Sequence, residues 1–233
     1  MTQRIALITG GNKGLGFETA RRLKGLGFRV YIGAREAGRG IEAASRLGVE
    51  WLQLDVTDEA SVRGAAGRFS ERESHLDVLI NNAGIAGGRK PAAEFTGDDA
   101  QAVFATNVVG PVRVMNAFIP LMEKSANPVI VNVSSGLGSF AVTQDPQRFE
   151  SQVRTPLYSA SKSALTMLTL QYARALPNFR VNAADPGYTA TDLNAHRGQQ
   201  TVEEGTDAIV HLATLPPDGP SGTFVDRHGV VPW

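Results

Sequence analysis

A tyrosine and a lysine separated by one helical turn are the residues of this chain with the clearest chemical use. Tyr158 and Lys162 frame the sequence YSASK. On a helix that we predict to begin near residue 156, this spacing places both side chains on one face. An ammonium group beside a phenol favours the phenolate, so we expect Lys162 to lower the pKa of Tyr158 from about 10 towards neutrality. Such a pair can transfer protons in catalysis, although the same spacing is also common on solvated helix surfaces.

The composition limits the classes of protein to consider. A length of 233 residues predicts one domain with a sizeable core. Lys plus Arg and Asp plus Glu each number 23, so the charge predicts no nucleic-acid or membrane partner. The absence of cysteine excludes disulfides and thiolate sites, and we predict no metal. The apolar run at 5–8 is too short for a signal segment or a membrane span, and a cytoplasmic location is our default expectation.

A glycine-rich turn lies between the first predicted strand and the first predicted helix. Residues 4–9 are short, apolar and β-branched, as in a buried strand, and a helical pattern covers 17–26. The sequence TGGNKGLG at 9–16 joins them. Glycines allow a phosphate to approach the backbone, and the free N–H groups and dipole of the helix favour its negative charge. We therefore predict a nucleotide site here rather than an incidental turn.

The spacing of this turn resembles a known cofactor motif. Thr-Gly-x-x-x-Gly-x-Gly is similar to the motif of the short-chain dehydrogenase/reductase family, and the Asn-Lys pair within it resembles the carbonyl-reductase branch. The resemblance extends over the whole chain, which we interpret as one domain, 1–233. It implies a nicotinamide cofactor held by Gly10, Asn12, Lys13, Gly14, Leu15 and Gly16.

The end of the second predicted strand indicates which nicotinamide cofactor is bound. NAD-binding sheets commonly place a carboxylate there to bind the ribose 2′-hydroxyl. In this chain Arg35 follows the strand at 28–33, and Glu36 comes only after it. A guanidinium binds a 2′-phosphate with two hydrogen bonds, and we expect Arg35 and Lys13 to face the adenosine ribose. We therefore predict NADP(H), the alternative being that Arg35 is an exposed loop arginine.

Two further strand ends carry residues that match the family. Asp55 follows a predicted strand at 49–54 and resembles the family's contact to the adenine amino group, with Val56 beside it. The fourth predicted strand, 76–80, is followed by Asn-Asn-Ala-Gly, where amides and a glycine suit a ribose and a close backbone approach. The resemblance assigns the cofactor contacts of this segment to Asn82, Ala83 and Gly84.

An asparagine lies inside a long apolar helical pattern at 98–122, which we expect Pro111 to kink. Asn107 has a low helix propensity and needs buried hydrogen-bond partners there. The resemblance gives Asn107 a catalytic role in holding a water molecule beside the lysine. A satisfied core amide is the alternative.

A pair of serines ends the fifth predicted strand, 128–133. By its place in Asn-Val-Ser-Ser-Gly, Ser135 resembles the family's catalytic serine, and Ser134 is the weaker candidate. The chain from Ser135 to Tyr158 is longer than is usual in the family. We interpret residues near 142–155 as a polar surface insertion, and because such insertions can block subunit contacts, the chain could be a homodimer, a tetramer or a monomer.

The last motif follows a predicted strand at 180–184. It resembles the family's Pro-Gly-x-x-x-Thr turn, in which backbone groups and a threonine hold the nicotinamide amide. Residues near 188–200 form a short candidate lid over the substrate. His196 in this lid either meets the substrate or is solvated. The resemblance assigns cofactor contacts in this turn to Pro186, Gly187, Thr189 and Thr191.

The alternation of strands and helices predicts an α/β fold with a doubly wound parallel sheet of Rossmann type and about seven strands. Right-handed crossovers bring every carboxyl end to one edge, so the motifs above should converge in one crevice.

The resemblance then implies NADPH-dependent reduction of a ketone, aldehyde or quinone, or oxidation of the matching alcohol. Ser135 would stabilise the developing oxyanion and Tyr158 would supply the proton. Lys162 would hold the nicotinamide ribose and connect through water to Asn107. A non-catalytic NADP(H) sensor on the same fold is the alternative, although a sensor needs no proton relay. A sugar-nucleotide epimerase or dehydratase is a weaker one, because it usually carries a longer C-terminal domain.

Overall fold

Eight strands form a single sheet in the computed structural model, which describes residues 3–88 and 90–233. Their spatial order is β3-β2-β1-β4-β5-β6-β7-β8. Every neighbouring pair is parallel except the last, which is antiparallel. The strands are Ile5–Thr9 (β1), Arg29–Ala34 (β2), Glu50–Gln53 (β3), Val78–Asn81 (β4), Val129–Val133 (β5), Arg180–Ala184 (β6), Phe224–Asp226 (β7) and Gly229–Val230 (β8).

This order confirms the predicted doubly wound sheet, with seven parallel strands and one short antiparallel addition. The direction of winding reverses between β1 and β4, which is where open α/β sheets bind ligands. The helices are Gly14–Gly25 (α1), Ala37–Leu47 (α2), Glu59–Ser70 (α3), Gly97–Phe104 (α4), Gly110–Met122 (α5), Phe140–Gln144 (α6), Pro156–Ala175 (α7), Val202–Gly205 (α8) and Asp207–Ala213 (α9).

The helices cover the sheet on both faces. Successive side chains of a strand point to opposite faces, and β1 shows the consequence. Ala6 and Ile8 belong to a core that includes residues of α1, α2 and α9. Ile5 and Leu7 belong to a second core that includes residues of α3 and α5. Because β1 is buried along its whole length, its carboxyl end is held rigidly where the glycine turn begins.

The long helical pattern that contains Asn107 is broken by a wide turn. Ala105–Val109 is π-helical and joins α4 to α5. Pro111 stands in the first turn of α5, where a missing N–H costs little. The helix therefore changes its winding at the π segment just before the proline, and the kink expected at Pro111 stays a prediction. Single π turns of this kind often mark functional sites.

By length and composition alone, the stretch Gly97–Met122 could cross a membrane, a test that core helices also pass. In this fold Val114, Met115 and Phe118 are fully buried in the core on one face of the sheet. The apolar side chains of α5 are therefore explained by packing against the sheet.

The predicted insertion near 142–155 folds into α6 and a short helical turn, Phe149–Gln152. Val142 of α6 is buried with Phe224 of β7 and with Val231. The segment is therefore anchored to the far edge of the sheet, while most of its other residues are exposed.

Candidate active site

The turns that follow β1 and β4 are joined by hydrogen bonds at the carboxyl edge of the sheet. The Asn82 amide donates to the backbone oxygens of Thr9 at 2.9 Å and of Gly10 at 3.2 Å. In return the Thr9 hydroxyl accepts hydrogen bonds from the backbone N–H groups of Asn82 and Ala83, both at 3.0 Å. The structure thus brings together two predicted cofactor segments that lie about seventy residues apart in sequence.

The glycines of the first turn are required by close packing. A Cβ on Gly16 would lie 2.5 Å from the Asn82 amide nitrogen and 2.5 Å from the Gly10 carbonyl oxygen. Gly10 and Gly14 have φ of +65° and +54°, a region that favours glycine. Among the described residues, no side chain caps the N-terminus of α1, and its first turn holds no carboxylate. The free N–H groups at this end suit the pyrophosphate of a dinucleotide.

Replacing Gly16 by alanine should raise the NADPH Kd at least about tenfold, which corresponds to about 1.4 kcal/mol. The added methyl group would push Asn82 and the Gly10 carbonyl apart and widen the phosphate turn. Gly25→Ala is the matched control at the other end of α1, because a Cβ there meets nothing within 4 Å. Fluorescence titration with NADPH measures both, and equal affinities for the two variants would contradict the prediction.

The two basic residues predicted to face the adenosine ribose have different surroundings. The Arg35 side chain is 70% exposed, with its Nε 3.6 Å from a Glu36 oxygen. The Lys13 Nζ instead contacts Asp192 of the candidate lid at 2.8 Å. The prediction that Lys13 faces the ribose stays a prediction. Both partners of the pair are more than half exposed, so the pair is weak and a phosphate could replace the carboxylate.

Asp55 and Val56, the residues predicted to contact the adenine, lie in the turn after β3. One Asp55 oxygen accepts hydrogen bonds from the Thr57 N–H at 2.9 Å and from the Thr57 hydroxyl at 2.7 Å. Val56 is buried, and a Cβ on Gly110 would lie 3.0 Å from its side chain. The Val56 side chain thus packs in the core, and a cofactor contact would use its backbone.

Lys162 lies deep in the site, one turn after Tyr158 on α7. Its side chain is buried, and its Nζ donates to the Val133 carbonyl at 2.7 Å. The Nζ lies 5.6 Å from the centre of the Tyr158 ring. Burial lowers the pKa of Lys162 to about 8, although the negative charge of Asp185 opposes this effect.

The structure corrects the predicted pKa of Tyr158. Burial raises the pKa of this phenol, the charge of Asp185 raises it further, and a hydrogen bond with Ser135 lowers it in part. The expected lowering by Lys162 is wrong for this structure, because the ammonium group is bound to the Val133 carbonyl instead. Tyr158 is therefore held as a protonated phenol, the form that a proton donor needs.

The structure also separates the two candidate serines. Ser134 is buried, and its hydroxyl bonds to the Lys162 carbonyl at 3.2 Å and to the Thr166 hydroxyl at 2.7 Å. The Ser135 hydroxyl accepts the Leu137 N–H at 3.2 Å and lies beside the Tyr158 phenol. Ser134 thus fastens α7 to the sheet, and Ser135 is the serine that lies next to Tyr158.

Asn107 is buried and fully hydrogen-bonded. Its amide nitrogen donates to the Ile85 carbonyl and to the Ser161 hydroxyl, each at 2.9 Å, and its oxygen accepts the Ile85 N–H at 2.9 Å. A Cβ on Gly84 would lie 3.4 Å from that oxygen and 3.7 Å from the Lys162 Nζ. Asn107 is thus a satisfied core amide that also lies close to the lysine. The bound water proposed beside it stays a prediction.

The turn after β6 is shaped by Gly187, whose φ is +65°. The buried Thr189 hydroxyl donates to the Pro186 carbonyl at 2.7 Å, and the Thr191 N–H donates to the Asn194 side chain at 3.2 Å. This turn adjoins the Ser135 turn because β6 pairs with β5. His196 contacts Asp192 at 2.9 Å and is 68% exposed, so it pairs with the lid itself.

Two residues of the site were missed in the sequence. Asp185 is buried at the end of β6, and one of its oxygens accepts the Gly187 N–H at 2.9 Å. The Gln200 side-chain oxygen is buried against Gly187 and has no hydrogen-bond partner within residues 3–88 and 90–233. Asp185 could have been noticed as a carboxylate between a buried strand and the Pro-Gly turn. Nothing in the sequence distinguishes Gln200.

Comparisons with known proteins agree with this geometry. A family model described as short chain dehydrogenase matches residues 4–202. The chain is 33% identical to a (+)-neomenthol dehydrogenase of Capsicum annuum, over 98% of this chain and 97% of that protein. The solved structure of salutaridine reductase from Papaver somniferum is 30% identical, with a TM-score of 0.84 over 95% of this chain and 99% of the other. A gluconate 5-dehydrogenase from Burkholderia cenocepacia, solved with NADP and tartrate, is 28% identical, with a TM-score of 0.82 over 97% and 95% of the two chains.

Proposed function

This chain is an oxidoreductase of the short-chain dehydrogenase family, and we propose that it reduces the carbonyl group of a small ketone, aldehyde or quinone with NADPH. The observation that carries the proposal is the convergence of Ser135, Tyr158 and Lys162 beside the glycine turn. Relatives whose names describe reductases or dehydrogenases of small molecules support it.

The three side chains divide the chemistry between them. The Ser135 hydroxyl would donate a hydrogen bond to the substrate carbonyl and stabilise the oxyanion that develops on that atom. The Tyr158 phenol, adjacent to Ser135, would give its proton to the same oxygen. Lys162 would hold the ribose hydroxyls, after leaving the Val133 carbonyl that it now contacts. NADPH, when bound, supplies the hydride.

The preference for NADP(H) rests on charge at the end of β2. Arg35 is the first residue after this strand, and its guanidinium has only a distant contact with Glu36. A bidentate bond to a 2′-phosphate would be stronger than this exposed pair. Lys13, in the glycine turn, could exchange Asp192 for the phosphate.

Reduction should slow as the pH rises through about 8. The buried ammonium group of Lys162, whose pKa is lowered to about 8, then loses the charge that holds the ribose. The pKa of Tyr158 is raised, so the phenol stays protonated over the same range. The pH profile of kcat/KM measures this fall. It should be absent in Lys162→Arg, whose guanidinium stays charged to a pH above about 12, and an unchanged profile in that variant would contradict the assignment.

The direct test is NADPH oxidation, followed by absorbance, with a panel of ketones, reactive dicarbonyls and quinones. Turnover that is weak with NADH would support the proposed reaction. Tight NADPH binding without turnover of any substrate would favour the alternative, a sensor of NADP(H). Absence of NADPH binding would contradict both.

A further inference from the structure

A buried carboxylate joins the two turns that flank the catalytic tyrosine. Asp185 is 4% exposed at the end of β6. Its Oδ1 accepts the Gly187 N–H at 2.9 Å, and the nearby Gly136 N–H also favours the charged form and lowers its pKa. A Cβ on Gly136 would lie 2.8 Å from the Asp185 Oδ2, so the two groups are in direct contact. One side chain therefore holds the residue after Ser135 and the turn after β6.

The proposed mechanism gives Asp185 no role, although it lies within reach of the reacting groups. Its charge acts on both Tyr158 and Lys162, and raises the pKa of each. Burial raises the pKa of Asp185, and the backbone N–H groups of Gly187 and Gly136 oppose this effect in part. A residue that only filled space at this position would not need a charge.

We propose that Asp185 is a positioning residue for the reduction: its carboxylate ties the Ser135 turn to the Pro186–Gly187 turn and thereby fixes the oxyanion donor relative to the nicotinamide. This inference rests on the proposed function, because it assigns Asp185 a task in that reaction. Misplacement of a reacting group by about 1 Å can cost about 100-fold in rate, so a fixed distance between these turns matters.

A carboxylate suits this task better than the isosteric amide. The Gly187 and Gly136 N–H groups belong to different turns, and the carboxylate has one oxygen bonded to the first and the other beside the second residue. An asparagine would offer one oxygen, and its NH₂ group would face the second N–H. Asp185→Asn should therefore release one turn while changing the volume of the side chain very little.

Other charged groups surround Asp185 and must be separated from its effect. Glu150, in the turn before α7, approaches Gly136 on the same side, since a Cβ there would lie 3.1 Å from its Oε1. Arg148 pairs with Glu150 at 3.3 Å. Asp226 of β7 adds a further negative charge that raises the pKa of Asp185. Glu150→Gln is the matched control, because it removes a neighbouring charge and leaves the contacts of Asp185 with Gly187 and Gly136 in place.

The first measurement is hydrogen–deuterium exchange at the Gly136 and Gly187 amides, which requires no substrate. In Asp185→Asn, at least one of these amides should exchange at least about tenfold faster than in the parent chain, whereas Glu150→Gln should leave both unchanged. If both amides exchanged at the parental rate in Asp185→Asn, the inference would be overturned, independently of which substrate the enzyme uses. Failure of the parent chain to oxidise NADPH would instead count against the proposed function, and the two failures are thus distinguishable.

The second measurement is steady-state kinetics on the same variants. Asp185→Asn should lower kcat about 10- to 100-fold and change the NADPH Kd less than about fivefold. In Asp185→Asn the decrease in rate at alkaline pH should begin at a lower pH than in the parent chain. Loss of the negative charge lowers the pKa of Tyr158 and of Lys162, the two groups that must stay protonated. If Asp185→Asn had the same kcat and the same pH profile as the parent chain, the inference would be overturned.

Gly136→Ala gives an independent test if Asp185→Asn folds poorly. The new methyl group would displace the Asp185 carboxylate without removing its charge. Gly136→Ala should lower kcat when it is made in the parent chain. Its effect should be smaller when it is added to Asp185→Asn, since both substitutions disturb the same contact. Fully additive losses, or a parental kcat in Gly136→Ala, would contradict the role given to Asp185.

Discussion

Replacing Tyr158 by phenylalanine should lower kcat for carbonyl reduction about 1,000-fold while changing the NADPH Kd less than about threefold. The variant loses one oxygen atom, the proton donor beside Ser135, and keeps the ring against which Lys162 lies. General acid catalysis by a positioned group is commonly worth a factor of about 100 to 10,000. Rapid-quench or steady-state rates, paired with a fluorescence titration of NADPH, measure the two quantities separately.

Tyr172→Phe is the matched control on the same helix. Tyr172 is a partly buried residue of α7 that packs against the core about 21 Å along the helix axis from Tyr158. The change is chemically identical, so a rate close to that of the parent chain would show that the loss belongs to Tyr158. Substantial turnover by Tyr158→Phe would remove this residue from the mechanism.

Replacing Arg35 by alanine should raise the NADPH KM about 10- to 100-fold and leave the NADH KM within about twofold. A charge-assisted hydrogen bond contributes about 1.5–3 kcal/mol, and only NADPH offers the 2′-phosphate that would accept it. Because Arg35 is 70% exposed and weakly paired with Glu36, its removal should disturb the free protein very little. Competition between the two cofactors on one substrate measures the change in preference.

Arg39→Ala separates this specific contact from the general effect of positive charge. Arg39 lies one turn along α2, is 64% exposed and contacts the same Glu36 at 3.2 Å. It should change both KM values by a similar small factor. If Arg35→Ala raised the two KM values equally, the arginine would not be binding the 2′-phosphate.

The sequence by itself was sufficient to predict the fold and the edge of the sheet at which the candidate site lies. The apolar runs of β1, β4, β5 and β6 are short and continuous because parallel strands are buried on both faces, and such runs can be recognised without a structure. The motifs that follow them had to meet, since parallel strands end on one edge. The spacing of Tyr158 and Lys162 and the positions of the glycines in the first turn are local properties, which the sequence determines directly.

Only the tertiary structure decided the partners and the charge states of the side chains. Lys13 contacts Asp192, a residue 179 positions away, and Lys162 contacts the Val133 carbonyl rather than the phenol. The pKa of Tyr158 is raised because burial and the charge of Asp185 outweigh the hydrogen bond with Ser135. These outcomes depend on desolvation and on distances between elements remote in sequence, and spacing along the chain contains neither. The contacts of Asp185 with Gly187 and Gly136 have the same origin: the two turns are brought together only by the pairing of β5 with β6.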